Sequence, residues 1–133
     1  MSIQKIEGIA EAMAEKLQKA GIRSVNALLK KGADPKGRKE IAEKSGISEA
    51  RILDWVNMAD LFRIKGISTQ YSELLKAAGV DTVKELAQRN PENLYNTMKE
   101  VNEKKRLVRL IPAQKMVASW VEQAKSLPRA VHY

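Results

Sequence analysis

Cysteine is absent from the 133 residues, which excludes disulfide staples and thiolate metal sites and fits a reducing compartment. Histidine occurs once, as His132 in the tail after Pro128, so no histidine pair is available for zinc. There is no glycine-rich phosphate loop and no Gly-x-Ser-x-Gly elbow. The carboxylate pair Glu11 and Glu15 lies one helical turn apart on a face read as exposed. With no constellation for catalysis and no ligand set for a metal, the chain reads as non-enzymatic and without a cofactor. No apolar run approaches the ~20 residues that span a bilayer. The opening residues, Met1 to Lys5, lack the apolar stretch of a signal peptide. The expectation is a cytoplasmic protein with no membrane partner. Aromatics are few, at 5%, as are proline (4) and glycine (7). No alternating stretch of β-branched residues marks a strand.

Alanine, leucine, lysine and glutamate abound, and they favour helix. The apolar content of 44% is enough to build a core. The residues that punctuate the chain divide it into short helices. Met13, Ala14, Leu17 and Ala20 share one face of a helix from about Ala10 to Ala20, ended by Gly21. Ser24 caps a second helix from Val25 to about Lys31, closed by Gly32. Asp34-Pro35 reads as a cap followed by proline at the first helical position, opening a helix to about Lys44 that Gly46 stops. Ser48 caps the helix that carries Ile52, Trp55, Val56 and Ala59. In the second half, Ser68 or Thr69 caps a helix through Ala78, and Thr82 with Glu85 forms a capping box. Asn90-Pro91 repeats the cap-plus-proline device. A polar, strongly basic stretch runs from Asn102 to Arg109, and Pro112 restarts a last helix holding Trp120 and Ala124.

A shift of 58 residues lays the first half on the second. Ile6, Gly8 and Ile9 fall on Ile64, Gly66 and Ile67, and Ala20-Gly21-Ile22 falls on Ala78-Gly79-Val80. Ser24-Val25 meets Thr82-Val83. Trp55-Val56 and Ala59 match Trp120-Val121 and Ala124 only at a shift of 65, so about seven residues are added between, and the basic stretch is the natural place for them. Matched glycines imply matched backbone demands, and matched tryptophans imply matched core anchors. The chain is therefore read as an internal duplication, with a first helical repeat over 1–62 and a second over 63–133 sharing one core.

Net charge is +8, which makes an acidic partner a natural expectation. Residues 1–60 carry 11 basic and 9 acidic residues; the remainder carries 13 and 7, so the excess lies in the second half. The densest positive run is Lys104, Lys105 and Arg106 with Arg109. Lys36, Arg38 and Lys39 form a third cationic group.

The pattern Ile-x-Gly-Ile, a helix, then Ala-Gly-Ile/Val-x-Ser/Thr-Val and a short helix resembles the helix-hairpin-helix module over residues 6–29 and 64–87. In that family, a glycine-containing hairpin leads into a helix whose backbone amides grip a DNA phosphate. More widely, the chain resembles an uncharacterised bacterial family known as a domain of unknown function. That likeness is carried by Gly37-Arg38, Ile52 to Asn57, Ala59-Asp60-Leu61, Arg63 to Ile67, Gly79 to Val83 and Asn90 to Leu94. It implies an all-α fold of two tandem helix-hairpin-helix-like repeats packed into one compact unit, and no established activity. The DNA-binding hairpins usually read Gly-Ile-Gly, whereas the third position here is Ala10 in one copy and Ser68 in the other. Glu7 would repel a phosphate that Lys65 would attract. The expected nucleic-acid contacts are therefore Arg63, Lys65, Gly66, Ser68 and Thr69 at the central hairpin, where helix-end amides and the dipole favour an anion, with Lys104, Lys105, Arg106 and Arg109 beside them. The expected partner is duplex DNA, bound without regard to sequence. The alternative is a protein–protein or scaffold module with an acidic protein partner.

Overall fold

The structure, a computed structural model, describes residues 1–133. The fold is all-α. Its eight helices are α1 (Glu11–Lys19), α2 (Val25–Lys31), α3 (Pro35–Ser45), α4 (Glu49–Leu61), α5 (Thr69–Ala77), α6 (Val83–Ala87), α7 (Pro91–Lys105) and α8 (Gln114–Ser126), preceded by a 3-10 turn at Ile3–Lys5. No strand is present beyond one isolated bridge between Ser2 and Ser24. The chain divides into two compact units, Met1–Asp60 with Ala130–Tyr133, and Leu61–Arg129.

The helices begin where local chemistry supplies an acceptor for their first amides. Ser24 accepts from Ala27 N–H at 3.0 Å, Asp34 from Gly37 N–H at 2.7 Å, and Asn90 from Asn93 N–H at 3.1 Å. Each satisfies one of the donors that a helix start leaves open. Thr82 Oγ1 accepts from Glu85 N–H and its hydroxyl donates to Glu85 Oε1, both at 3.3 Å. The capping box is thus closed between side chains.

In the first unit, α1 and α2 pack on α3. The buried set includes Ile6, Leu17, Ile22, Leu28 and Ile52, none more than 1% exposed, together with Trp55. The basic group on α3 divides. Lys36 and Lys39 are exposed, but Arg38 is buried. Its guanidinium donates to the carbonyls of Gly32 and His132, each at 2.8 Å. Arg38 is therefore a structural tie rather than a surface contact. The tail also folds back: Val131 is buried, His132 N–H donates to the Ala33 carbonyl at 2.7 Å, and the Tyr133 hydroxyl donates to Asn57 Oδ1 at 3.2 Å.

In the second unit, α8 lies against α6 and α7, and α5 against α7. Leu74, Leu75, Leu86, Leu94, Met98 and Trp120 form its core. Tyr71 tilts against Trp120 with ring centroids 5.4 Å apart. Burying side chains of this size contributes roughly 1.5–3 kcal/mol each, so the six together outweigh any single polar contact in the unit. Met116 on α8 lies 37% exposed.

The two units share backbone devices, position for position. In the first, Ile9 N–H donates to the Ile6 carbonyl at 3.2 Å across Gly8, whose φ is +94°. In the second, Ile67 N–H reaches the Ile64 carbonyl at 3.4 Å across Gly66, with φ of +97°. A positive φ at the third residue of such a turn demands glycine. Helix α1 ends with Ile22 N–H on the Leu17 carbonyl and Gly21 N–H on the Gln18 carbonyl. Helix α5 ends with Val80 on Leu75 and Gly79 on Lys76. Both are Schellman closures with a buried apolar pair across them.

The added residues can now be located. Helix α7 has 15 residues against 11 for α3. The connection that follows it spans 106–113, against 46–48 in the first unit. A shorter α6, of 5 residues against 7 for α2, offsets two of them.

Candidate nucleic-acid interface

The turn Ile64–Ile67 is held from both ends of the second unit. Ile64 and Ile67 are buried, while Lys65 and Gly66 between them are exposed. A Cβ on Gly66 would stand 2.9 Å from Trp120 Nε1, so the turn rests directly on the indole. Gln123 on α8 grips the turn by its backbone: Lys65 N–H donates to Gln123 Oε1 at 2.9 Å, and Gln123 Nε2 donates to the Lys65 carbonyl at 3.2 Å. This fixes the peptide and leaves the lysine side chain pointing from a rigid mount. The Lys65 amide is therefore engaged within the protein.

The turn leads into α5, whose N-cap is Ser68. The expectation that Ser68 caps this helix through its hydroxyl is not met: the side chain makes no cap hydrogen bond. Ala10, at the same place before α1, has no hydroxyl at all, and α1 forms as readily. The glycine turn and its buried isoleucines therefore set where these helices begin. Five helices, α2, α3, α4, α6 and α7, draw on the side chain before their first residue; α8, headed by Ala113, and α1 and α5, the two that follow glycine turns, do not. Their first-turn amides thus take no proton acceptor from the cap residue, and the positive end of the dipole faces outward there. Thr69 opens α5 and its carbonyl accepts from the Ser72 hydroxyl at 2.8 Å.

The basic stretch is helical over its first part. Helix α7 continues through Lys105, because lysine and glutamate sustain a helix and no breaker precedes Arg106. Lys104 and Lys105 lie in its last turn, where cations complement the negative end of the dipole. Arg106 then takes a left-handed conformation, φ 49° and ψ 48°, as the only non-glycine residue of the chain with positive φ. The equivalent helix end in the first unit uses Gly46, at φ 75°. Holding arginine there costs about 1–2 kcal/mol that glycine would avoid.

After Arg106 the chain is pinned by Asn102. Its Nδ2 donates to the Val108 carbonyl and its Oδ1 accepts from Val108 N–H, both at 3.0 Å. This double bond folds the connection against α7. It opens a groove of about 370 Å³ lined by Gln70, Asn102, Arg106, Leu107, Val108 and Arg109. Gln70 lies in the first turn of α5. The start of α5 and two of the four cations of the basic stretch therefore meet in one groove.

The remaining candidates fall outside it. Lys104 and Lys105 are exposed but do not line the groove. Arg63 donates through Nη2 to the Pro128 carbonyl at 2.7 Å, so its guanidinium ties down the end of α8. No group of three or more His, Cys, Asp or Glu residues is placed to hold a metal ion. No helix is long and apolar enough to cross a membrane. Gln70, Asn102 and Gln123 were missed by sequence reasoning. The one signal available for Gln123 was its pairing, at the shift of 65, with the apolar Met58.

No curated protein and no solved structure matches the chain. A family described as a domain of unknown function, DUF4332, matches residues 7–127, which is nearly the whole chain, and the protein belongs to that family.

Proposed function

We propose that this protein binds duplex DNA without sequence preference, through phosphates, using the second of two helix-hairpin-helix-like elements. The observation that carries the reading is the groove in which Arg106 and Arg109 meet Gln70 at the start of α5. There the start of a helix without a side-chain cap meets two guanidinium groups, and Lys65 stands on the rigid turn that precedes that helix. Helix-end amides and arginines are the two commonest means of holding a phosphate oxygen. The strained backbone at Arg106 supports the same reading, since strain of this kind persists mostly where a side chain must be aimed. In this scheme the Gly66 and Ser68 amides and the Ser68 hydroxyl receive one phosphate, the Ile67 amide being held by the Ile64 carbonyl. Lys65, Arg106 and Arg109 neutralise that phosphate and its neighbours, while Lys104 and Lys105 add to the field. Arg63 acts indirectly, by holding the end of α8 from which Gln123 reaches the turn. Contacts of this kind give affinity and register but no base readout.

The test is a titration of fluorescently labelled duplex DNA at several salt concentrations. Affinity should fall steeply with salt, with a slope close to 0.9 per phosphate neutralised, and Lys65→Glu should weaken binding about tenfold at low salt, the expected scale for reversing a close charge. DNA left unbound at low salt would remove this reading and leave the alternative, a scaffold for an acidic protein partner.

A further inference from the structure

Leu110 is 79% exposed, and away from the two chain ends only Met116, at 37%, joins it as an exposed large hydrophobic residue. Leu110 lies within the connection 106–113, which is eight residues long where the first unit has three, and Met116 in the first turn of α8 that follows it. The exposure of Leu110 does not come from a loose loop. Val108 before it is buried and held in both directions by Asn102, and Pro112 after it is buried. Ile111 packs against the core. Leu110 is thus the tip of a short bridge between two anchors. Its surroundings are strongly cationic: residues 103–115 hold five lysines and arginines and one acidic residue, Glu103. Half of the net charge of the chain therefore sits within thirteen residues of sequence around one exposed leucine.

An apolar side chain on a rigid mount, bracketed by cations, has the form of a wedge that enters a base step. Such wedges unstack neighbouring base pairs from the minor groove and kink the duplex, while flanking cations hold the phosphates drawn inward. We propose that Leu110 is such a wedge, inserted between base pairs of duplex DNA, with Arg106 and Arg109 on the adjoining phosphates. The proposal rests on the phosphate-binding reading above and extends it from holding DNA to deforming it. An anionic lipid surface has similar chemistry, but insertion into lipid scales with the apolar area buried, and one leucine with a partly exposed methionine offers little area.

The experiment uses the full chain and a duplex carrying 2-aminopurine, whose fluorescence rises on unstacking, with end-labelled duplex for bending. Wild-type protein should raise the 2-aminopurine signal and shorten the end-to-end distance. Leu110→Ala and Leu110→Ser should abolish both responses, with an unchanged salt slope and less than about a tenfold loss of affinity, because the phosphate contacts remain. The residue is exposed, so the variants should melt as the wild type does. Salt-dependent binding with no unstacking, or unstacking that survives Leu110→Ala, would overturn the wedge and leave phosphate binding intact. Absence of salt-dependent binding would overturn both. Co-sedimentation with anionic phosphatidylserine vesicles that requires Leu110, without DNA unstacking, would overturn the wedge in favour of a lipid surface.

Discussion

In Met1–Asp60 the glycine turn presents Glu7 to solvent and leads to a helix headed by Ala10; in Leu61–Arg129 the same turn presents Lys65 and leads to a helix headed by Ser68. The buried positions are alike. Gly8 stands over Trp55 Nε1 as Gly66 stands over Trp120 Nε1, with a hypothetical Cβ 3.2 Å and 2.9 Å away respectively. The solvent-facing positions are not alike, and they diverge in one direction. Where the first unit has acid, the second has base. Where the first ends its third helix on Gly46, the second uses a strained Arg106. Where the first has Met58 buried, the second has Gln123 gripping the turn. Two units with like cores and like left-handed glycines can carry different surface chemistry. In this chain the changes put a cation on the turn at Lys65 and another at the end of α7, and a polar clamp from Gln123 on the turn.

The largest effect that can break this comparison is at the paired glycines. Gly66→Ala forces a Cβ into Trp120 at a φ that alanine disfavours, and should destabilise the chain by about 2–3 kcal/mol in urea unfolding. Gly8→Ala meets Trp55 at a longer distance and should cost less, about 1–2 kcal/mol. Equal and small losses, at the level of a surface substitution, would show that the indoles do not constrain the turns.

Next in size is the clamp that only the second unit has. Asn102→Ala removes two hydrogen bonds to Val108 and leaves the Val108 amide without that acceptor, which should cost about 1–3 kcal/mol. It should also speed hydrogen exchange at Val108. A stability change below half a kcal/mol would mean that the connection is held by the burial of Val108 and Pro112 alone.

These clamps mark the limit of what could be read in advance. The helix starts at Ser24, Asp34, Thr82 and Asn90 and the turns at Gly8, Gly21, Gly66 and Gly79 were legible because each is settled within four residues by cap chemistry or by φ. The tryptophans were legible as core anchors because helical spacing and repetition agree on them. The all-α class followed from the same local signals. Arg38 was not legible, because its partners, Gly32 and His132, lie six and 94 residues away, and a basic side chain at a helix start ordinarily faces water. The end of α7 was not legible because no glycine marks it; an arginine occupies the left-handed position instead. At the candidate site, Lys65, Gly66, Arg106 and Arg109 were visible as types of residue. What holds them in place was not: the Asn102 amide bonds Val108 six residues on, and the Gln123 amide reaches the Lys65 backbone 58 residues away.

A reciprocal charge swap sharpens the comparison at the turn itself. Lys65→Glu gives the second unit the charge of the first, and Glu7→Lys gives the first the charge of the second. If the scaffold is shared and only the surface chemistry differs, the first change should lower DNA affinity about tenfold and the second should raise it by a smaller factor, since α1 lacks neighbours equivalent to Arg106 and Arg109. Both positions are exposed, so melting temperatures should stay within a few degrees. A Glu7→Lys variant that gained as much as Lys65→Glu lost would show that the arginine groove adds nothing.

The smallest expected change separates stability from binding most cleanly. Arg106→Gly relieves the one strained non-glycine residue and should stabilise the chain by about 1 kcal/mol, because the left-handed penalty for arginine exceeds the entropy that glycine adds to the unfolded state. Gly46→Arg imposes the same conformation on the first unit, where a Cβ meets nothing within 4 Å, so its cost should be the backbone penalty alone, again about 1 kcal/mol. If Arg106 is kept for its charge, the Gly variant should also bind DNA several-fold more weakly with a lower salt slope. A variant that becomes more stable and binds as before would show that the strain serves no contact. A variant that becomes less stable would show that the guanidinium supports the fold, and that the difference between the two helix ends lies in packing.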